Sequence, residues 1–182
     1  MLTIITPCCR QANIPKLFDS INFSKIDKWI IVYDTTKNRK YTKVYDHPKI
    51  IEAECDHPGI SGNPQRNFGM TFANDGFIYF LDDDNIIHPN FWNILDTLNP
   101  EKFYTFDQLR NIKTGEILKG NNIQVFKIDT AMYIVHKNHI GQIKWILDKY
   151  NADGHFICDV RNKNPASHVY IESVASYYNY LV

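Results

Sequence analysis

Apolar residues in the first half of the chain fall in short continuous runs, each closed by polar, glycine or proline positions. Leu2–Thr6 is apolar and β-branched and ends at Pro7; residues 28–34 read KWIIVYD, residues 49–56 KIIEAECD and residues 76–82 GFIYFLD. Runs of this length and composition predict strands. The lack of alternation in residues 28–34 is the pattern of a strand covered on both faces, as in a parallel sheet. Between the runs the spacing turns helical. Asn13 and Pro15 mark a helix start with Leu17, Phe18 and Ile21 at core-facing positions. Asn63 is placed to cap a helix with Pro64 in its first turn, running through Arg66, Met70 and Phe72 to Asn74, and Pro89 to Leu98 carries Phe91, Trp92, Leu95 and Leu98 at helical intervals.

Alternating strands and helices imply right-handed crossovers and a doubly wound, mostly parallel α/β sheet. Ligands collect at the carboxyl ends of the strands of such sheets. Pro7–Arg10, Asp34, Cys55–Gly62 and Asp82–Asn85 each follow a strand directly, so all are expected on one edge. The second half differs: residues 103–120 suggest a hairpin about Thr114 and Gly115, and TAMYIVHK another strand. Residues 139–150, HIGQIKWILDKY, are amphipathic with Ile143, Ile146 and Leu147 on the apolar side, which predicts a helix around Trp145. There are no internal repeats and no low-complexity tract.

With 182 residues and 44% hydrophobic content the chain can fill one core, so a single domain over 1–182 is expected. Lys and Arg total 20 against 20 Asp and Glu, which leaves no global basic field for nucleic acid or an anionic membrane. No stretch approaches the ~20 apolar residues of a membrane span. The start MLTIITPCCR has neither the basic leader nor the cleavage region of a signal peptide, so a cytoplasmic protein is expected. Cys8, Cys9, Cys55 and Cys158 form neither a zinc spacing nor a disulfide framework and read as reduced thiols.

The chemistry concentrates in Asp82, Asp83 and Asp84, directly after an apolar strand. Three adjacent carboxylates repel one another, and a hard divalent cation removes that cost. Oxygen ligands suit magnesium or manganese, which keep several waters and share coordination with substrate phosphates. In an extended segment Asp82 and Asp84 point one way and Asp83 the other. The structural alternative is a solvated acidic turn with Asn85 as a helix cap.

In order and kind, LTIITPCCRQ, WIIVYDTT, GNPQRNFGM and YFLDDDN resemble the donor loop, the nucleobase strand, the donor-lining segment and the acidic metal motif of nucleotide-sugar glycosyltransferases of the GT-A fold. WIIVYD, PQRN, YFLDDDN and IDTAMYIV are particularly similar to the glucuronyltransferases of proteoglycan linker synthesis, and SVASYYNYL to small bacterial and viral family-two-type transferases. The resemblance covers most of residues 2–160. It implies a GT-A-like, Rossmann-like domain whose residues 1–100 or so bind the donor and whose remainder meets the acceptor. It further implies Mn2+ or Mg2+ as cofactor, a nucleoside-diphosphate sugar as donor and a glycan or other hydroxyl compound as acceptor.

Carried onto this chain, the resemblance places Thr6, Pro7 and Arg10 on the donor loop and Asp34 at the nucleobase, where an Asx-turn or helix cap is the plain alternative. Arg66 follows Pro64 closely and is a candidate for the diphosphate, or for a salt bridge to the acidic cluster until donor and metal arrive. Asp84 is implied as the leading metal ligand, with Asp82 beside it or nearer the ribose, and Asp83 as part of the donor site. His136, His139, His155 and His168 are candidates for a further ligand, each with a structural hydrogen-bonding alternative. A glycosyl acceptor must also lose a proton, which a carboxylate within reach can take. Residues 150–160, YNADGHFICDV, resemble the segment where inverting members carry that base, so Asp153 and Asp159 are the candidates. The glucuronyltransferases use a Glu in a Gln-Glu-Ser run, which this chain lacks. Asp129 is implied to line the sugar or acceptor side. Trp92 and Trp145 read as core residues.

Two other classes fit in part. FLDDDNI matches the strand-then-Asp-x-Asp opening of haloacid-dehalogenase-like phosphatases, although there the motif follows the first strand and here it follows the fourth. A catalytically inactive nucleotide- or glycan-binding protein would carry the same fold without turnover.

Overall fold

The computed structural model describes residues 1–181. Four strands run parallel: β1 (Leu2–Cys8), β2 (Lys28–Asp34), β3 (Ile50–Cys55) and β4 (Phe77–Phe80), in spatial order β3-β2-β1-β4. The sheet continues through β8 (Tyr133–His136), antiparallel to β4, then β6 (Phe103–Asn111), β9 (His168–Tyr177) and the two-residue β5 (Ile86–Ile87). β6 and β9 are parallel to one another, and β7 (Glu116–Leu118) closes the expected hairpin onto β6. The β4–β8 pairing therefore joins both halves of the chain in one sheet.

Continuous apolar strands make sense because both faces are covered. Ile4, Trp29, Ile31 and Tyr79 face the side packed by α1 (Ile14–Ser20) and α3 (Asn90–Leu95). Their neighbours Ile5, Ile30, Ile78 and Phe80 face α2 (Asn63–Met70) and α5 (Ala152–Lys163). Each large side chain so buried contributes ~1.5–3 kcal/mol. The close seat of α2 on β1 requires a glycine: a Cβ at Gly69 would lie 2.6 Å from the Ile5 side chain.

Several expectations about the helices are corrected. α2 stops at Met70, short of Asn74, and Gly62 rather than Asn63 occupies its cap position. The Asn63 amide instead donates to the carbonyls of Ile146 and Lys149. The helix expected over residues 139–150 is absent; only α4 (Lys137–Ile140) forms, followed by turns and irregular chain. Asn67 exchanges two hydrogen bonds with the Trp145 backbone and Ile60 N–H donates to the Leu147 carbonyl, so these backbone groups are satisfied from α2 and the loop before it. The apolar residues still turn inward: Trp145 is fully buried, its ring 5.0 Å from Phe80 and 4.9 Å from Phe156. No helix among the described residues is long and apolar enough to cross a membrane.

Candidate active site

A cleft of about 750 Å³ opens along the carboxyl edge of the parallel strands. Its first-half wall is the loop after β1, Asp34, the turn before α2 and the acidic turn after β4; its second-half wall includes Asp129, Asp153 and Tyr178. The expectation that the post-strand segments share one edge thus holds as geometry.

β4 ends at Phe80, so the three aspartates lie on a turn rather than on an extended strand. Strict alternation does not apply there. Asp83, 1% exposed, accepts the backbone N–H groups of Cys9 and Arg10, both at 2.7 Å, and the Arg10 Nε and Nη2 at 2.8 and 2.6 Å. With four donors on it, Asp83 is a brace that ties the acidic turn to the loop after β1. Asp84 shares the same guanidinium at 2.6 Å. Burial and then the Asp82 charge push the Asp84 carboxyl up, against the opposing pull of Arg10. Asp82 turns to the other arginine, Arg66.

Arg66 is buried, its guanidinium 4.4 Å above the Trp145 ring, with Nη1 donating to the Ser61 carbonyl at 2.6 Å and to Asn63 at 3.1 Å. Its Nε finds no partner. Arg10 differs in that 43% of its side chain is exposed, so it is free to exchange partners. The salt bridge expected of Arg66 to the acidic cluster is thus formed with Asp82, and Arg10 pairs likewise with Asp83 and Asp84.

Asp34 lines the cleft while accepting the Thr36 N–H at 3.0 Å and Arg39 at 2.6 Å, so the turn reading and the cleft reading hold together. Pro7 also lines the cleft. Thr6 does not: it is fully buried and its hydroxyl accepts the Trp29 indole N–H at 2.9 Å. That is a core hydrogen bond, which corrects its placement among donor-contacting residues.

Two carboxyls on the opposite wall have no salt-bridge partner among the described residues. Asp153, in the first turn of α5, accepts the Gly154 N–H at 2.7 Å, and burial raises it to about 6. Asp129 accepts from Gln108 at 3.0 Å and from Ala131; burial first, then the charges of Asp82 and Asp153, raise it to about 7. Asp159 is exposed on α5 and does not line the cleft, so of the two candidate bases only Asp153 faces it. None of His136, His139, His155 and His168 lines the cleft either; His139 pairs with Asn164 and His168 with Thr105. Sequence reasoning missed the chain's end, where Tyr178 and Asn179 reach the cleft and Asn179 N–H donates to Asn85.

Among the described residues no three His, Cys, Asp or Glu side chains converge as a ready-made metal site. Asp82 and Asp84 nonetheless fit a hard cation whose other ligands are water and phosphate: both line the cleft with carboxylate oxygens, and after burial the Asp82 charge adds to what pushes Asp84 up, a repulsion that a cation would relieve.

No protein-family model and no curated protein matches the chain. Solved structures do, and they show the fold: it is GT-A-like. S. aureus TarS 1–349 in complex with UDP-GlcNAc superposes with a TM-score of 0.69 at 12% identity, over 97% of this chain and 57% of that one. Glucosyl-3-phosphoglycerate synthase from Mycobacterium tuberculosis, solved with Mn2+ and UDP, gives 0.64 at 11% identity over 97% and 71%. A mannosyltransferase from Pyrobaculum calidifontis, solved with GDP-Man and Mn2+, gives 0.68 at 11% over 98% and 56%. This chain thus spans less than two thirds of the TarS and mannosyltransferase chains, and at such identities the likeness is one of fold.

Proposed function

We propose that the protein is a metal-dependent glycosyltransferase that moves a sugar from a nucleoside-diphosphate donor to a hydroxyl acceptor with inversion. The observation that carries this reading is the pairing, across one cleft, of an arginine-balanced acidic turn with Asp153, a carboxyl that has no cation bonded to it. Asp34 and the loop after β1 receive the nucleoside. Arg10, exposed and shared between Asp83 and Asp84, can turn to the diphosphate, while buried Arg66 holds Asp82 in place. Asp82 and Asp84 would hold Mn2+ or Mg2+, which supplies positive charge to the departing diphosphate.

Asp153 takes the acceptor proton. The acceptor oxygen forms its bond to the anomeric carbon as the bond from that carbon to the diphosphate oxygen breaks, and the hydroxyl proton passes to the Asp153 carboxylate. A carboxyl raised to about 6 is still ionised at neutral pH and is a stronger base than an ordinary aspartate. The phosphatase alternative would need Asp82 as a free nucleophile, and its ion pair with Arg66 and its place after β4 favour the transferase. Release of nucleoside diphosphate from a panel of UDP- and GDP-sugars with manganese tests the proposal. The expected result is metal-dependent release from one donor class; no release from any donor, with or without acceptor, would count against it.

A further inference from the structure

We propose that the outer end of the cleft is an acceptor subsite for a sugar that carries an anionic group, with Phe126 and Tyr150 as its stacking faces and Lys127 and Arg110 as its charge selectors. This rests on the transferase reading and names the acceptor class. Phe126 and Tyr150 are 77% and 79% exposed, more than any other large apolar side chain among the described residues, and both line the cleft. Scattered exposed aromatics need no explanation, but two at one cleft mouth do. Phe126 is moreover held at φ +68, a left-handed conformation that a bulky side chain adopts only when its surroundings impose it.

Those surroundings are visible. Ile123 and Ile128 are buried on either side, and the Lys127 N–H donates to the Gln124 carbonyl at 3.0 Å. A Cβ at Gly154 would lie 2.7 Å from the Val125 Cα, so the loop backbone sits directly on the first turn of α5. That turn carries Asp153. The Asp-Gly pair thus sets the Phe126 loop in register with the proposed base, and Tyr150 comes three residues before it.

Charge then orders the subsite from inside to outside. Asp129 and Asp153 lie on the partly buried inner wall, whereas Arg110 and Lys127 are exposed at the rim. Arg110 meets only Glu116, at 3.2 Å with both side chains 52% exposed, a pair that contributes little. Lys127 has no carboxylate within 4.0 Å among the described residues. An acceptor laid on the aromatic faces would point a hydroxyl inward to Asp153 and an anionic substituent outward to the two cations.

Donor-free binding separates this from the transferase reading. Saturation-transfer NMR is run on the full chain with methyl glucoside, methyl glucuronide and glucose 6-phosphate. Wild type should bind at least one anionic sugar about tenfold tighter than the neutral one, a difference of ~1.4 kcal/mol. The carboxylate and phosphate arms identify which anion. The paired Lys127→Ala and Arg110→Ala changes should bring the ratio to about one, since the preference is assigned to these two charges. The paired Phe126→Ala and Tyr150→Ala changes should weaken all three sugars about tenfold, with nucleoside diphosphate affinity as the control for folding. Equal binding of neutral and anionic sugars by wild type, or unaltered sugar binding in the aromatic variant, would overturn the subsite. Loss of donor turnover without either result would fall on the transferase reading alone.

Discussion

The two walls of the cleft treat their carboxylates in opposite ways. On the first-half wall Asp82, Asp83 and Asp84 are each met by an arginine, and Asp83 accepts four hydrogen bonds. On the second-half wall Asp129 and Asp153 receive only neutral donors, and burial drives both well above the ordinary carboxylate value of 3.8. Balanced acids are suited to holding charge in a fixed geometry, and unbalanced ones to exchanging a proton near neutral pH. Under the proposed function, the contrast would divide the labour between donor binding on the first-half wall and acceptor deprotonation on the second.

The largest expected effect breaks the second wall. Asp153→Asn should lower transfer about 10²–10⁴-fold, the usual contribution of a positioned general base, with nucleotide affinity retained; steady-state kinetics and calorimetry read the two quantities. Breaking the first wall should instead cost stability. Arg66→Leu leaves Asp82 without its ion pair and strips the Ser61 carbonyl of a donor, and denaturant unfolding should show a loss of about 3–5 kcal/mol.

A smaller effect sharpens the contrast. Because the folded state holds protons on Asp129 and Asp153 more tightly than the unfolded chain does, these groups make stability fall as pH rises from the unfolded carboxylate value of 3.8 to the folded values of about 6 and about 7, and level off above them. The unfolding free energies from urea titration at pH 5 and pH 8 should therefore differ less in Asp129→Asn than in wild type, by about 1–3 kcal/mol. The smallest effect is Asp159→Asn, which should leave turnover within about twofold, in line with the near-neutral outcome of most surface substitutions.

Much of this was readable from residues alone where one force dominated. The parallel strands were legible because burial on both faces leaves unbroken apolar runs, and residues 28–34 match β2 at both ends. The acidic turn was legible because uncompensated like charge after such a strand calls for a partner. Residues 139–150 misled because side chains of α2, distant in sequence, satisfy their backbone, so apolar spacing survived without a helix. β9 went unnoticed since HVYIESVASY alternates weakly and pairs with both β6 and β5. Thr6 and Asp83 show the limit at the site: both sit beside the cleft, yet hydrogen bonds from Trp29 and Arg10 engage them inside the protein.

Calorimetry of UDP and GDP, with and without manganese, tests the central claim most directly. Asp82 and Asp84 are held to seat a cation that a diphosphate shares. Wild type should bind one of the nucleotides at least about tenfold tighter with manganese, and Asp84→Asn should lose that gain. Equal affinity with and without the metal, or a full manganese effect in Asp84→Asn, would contradict the account.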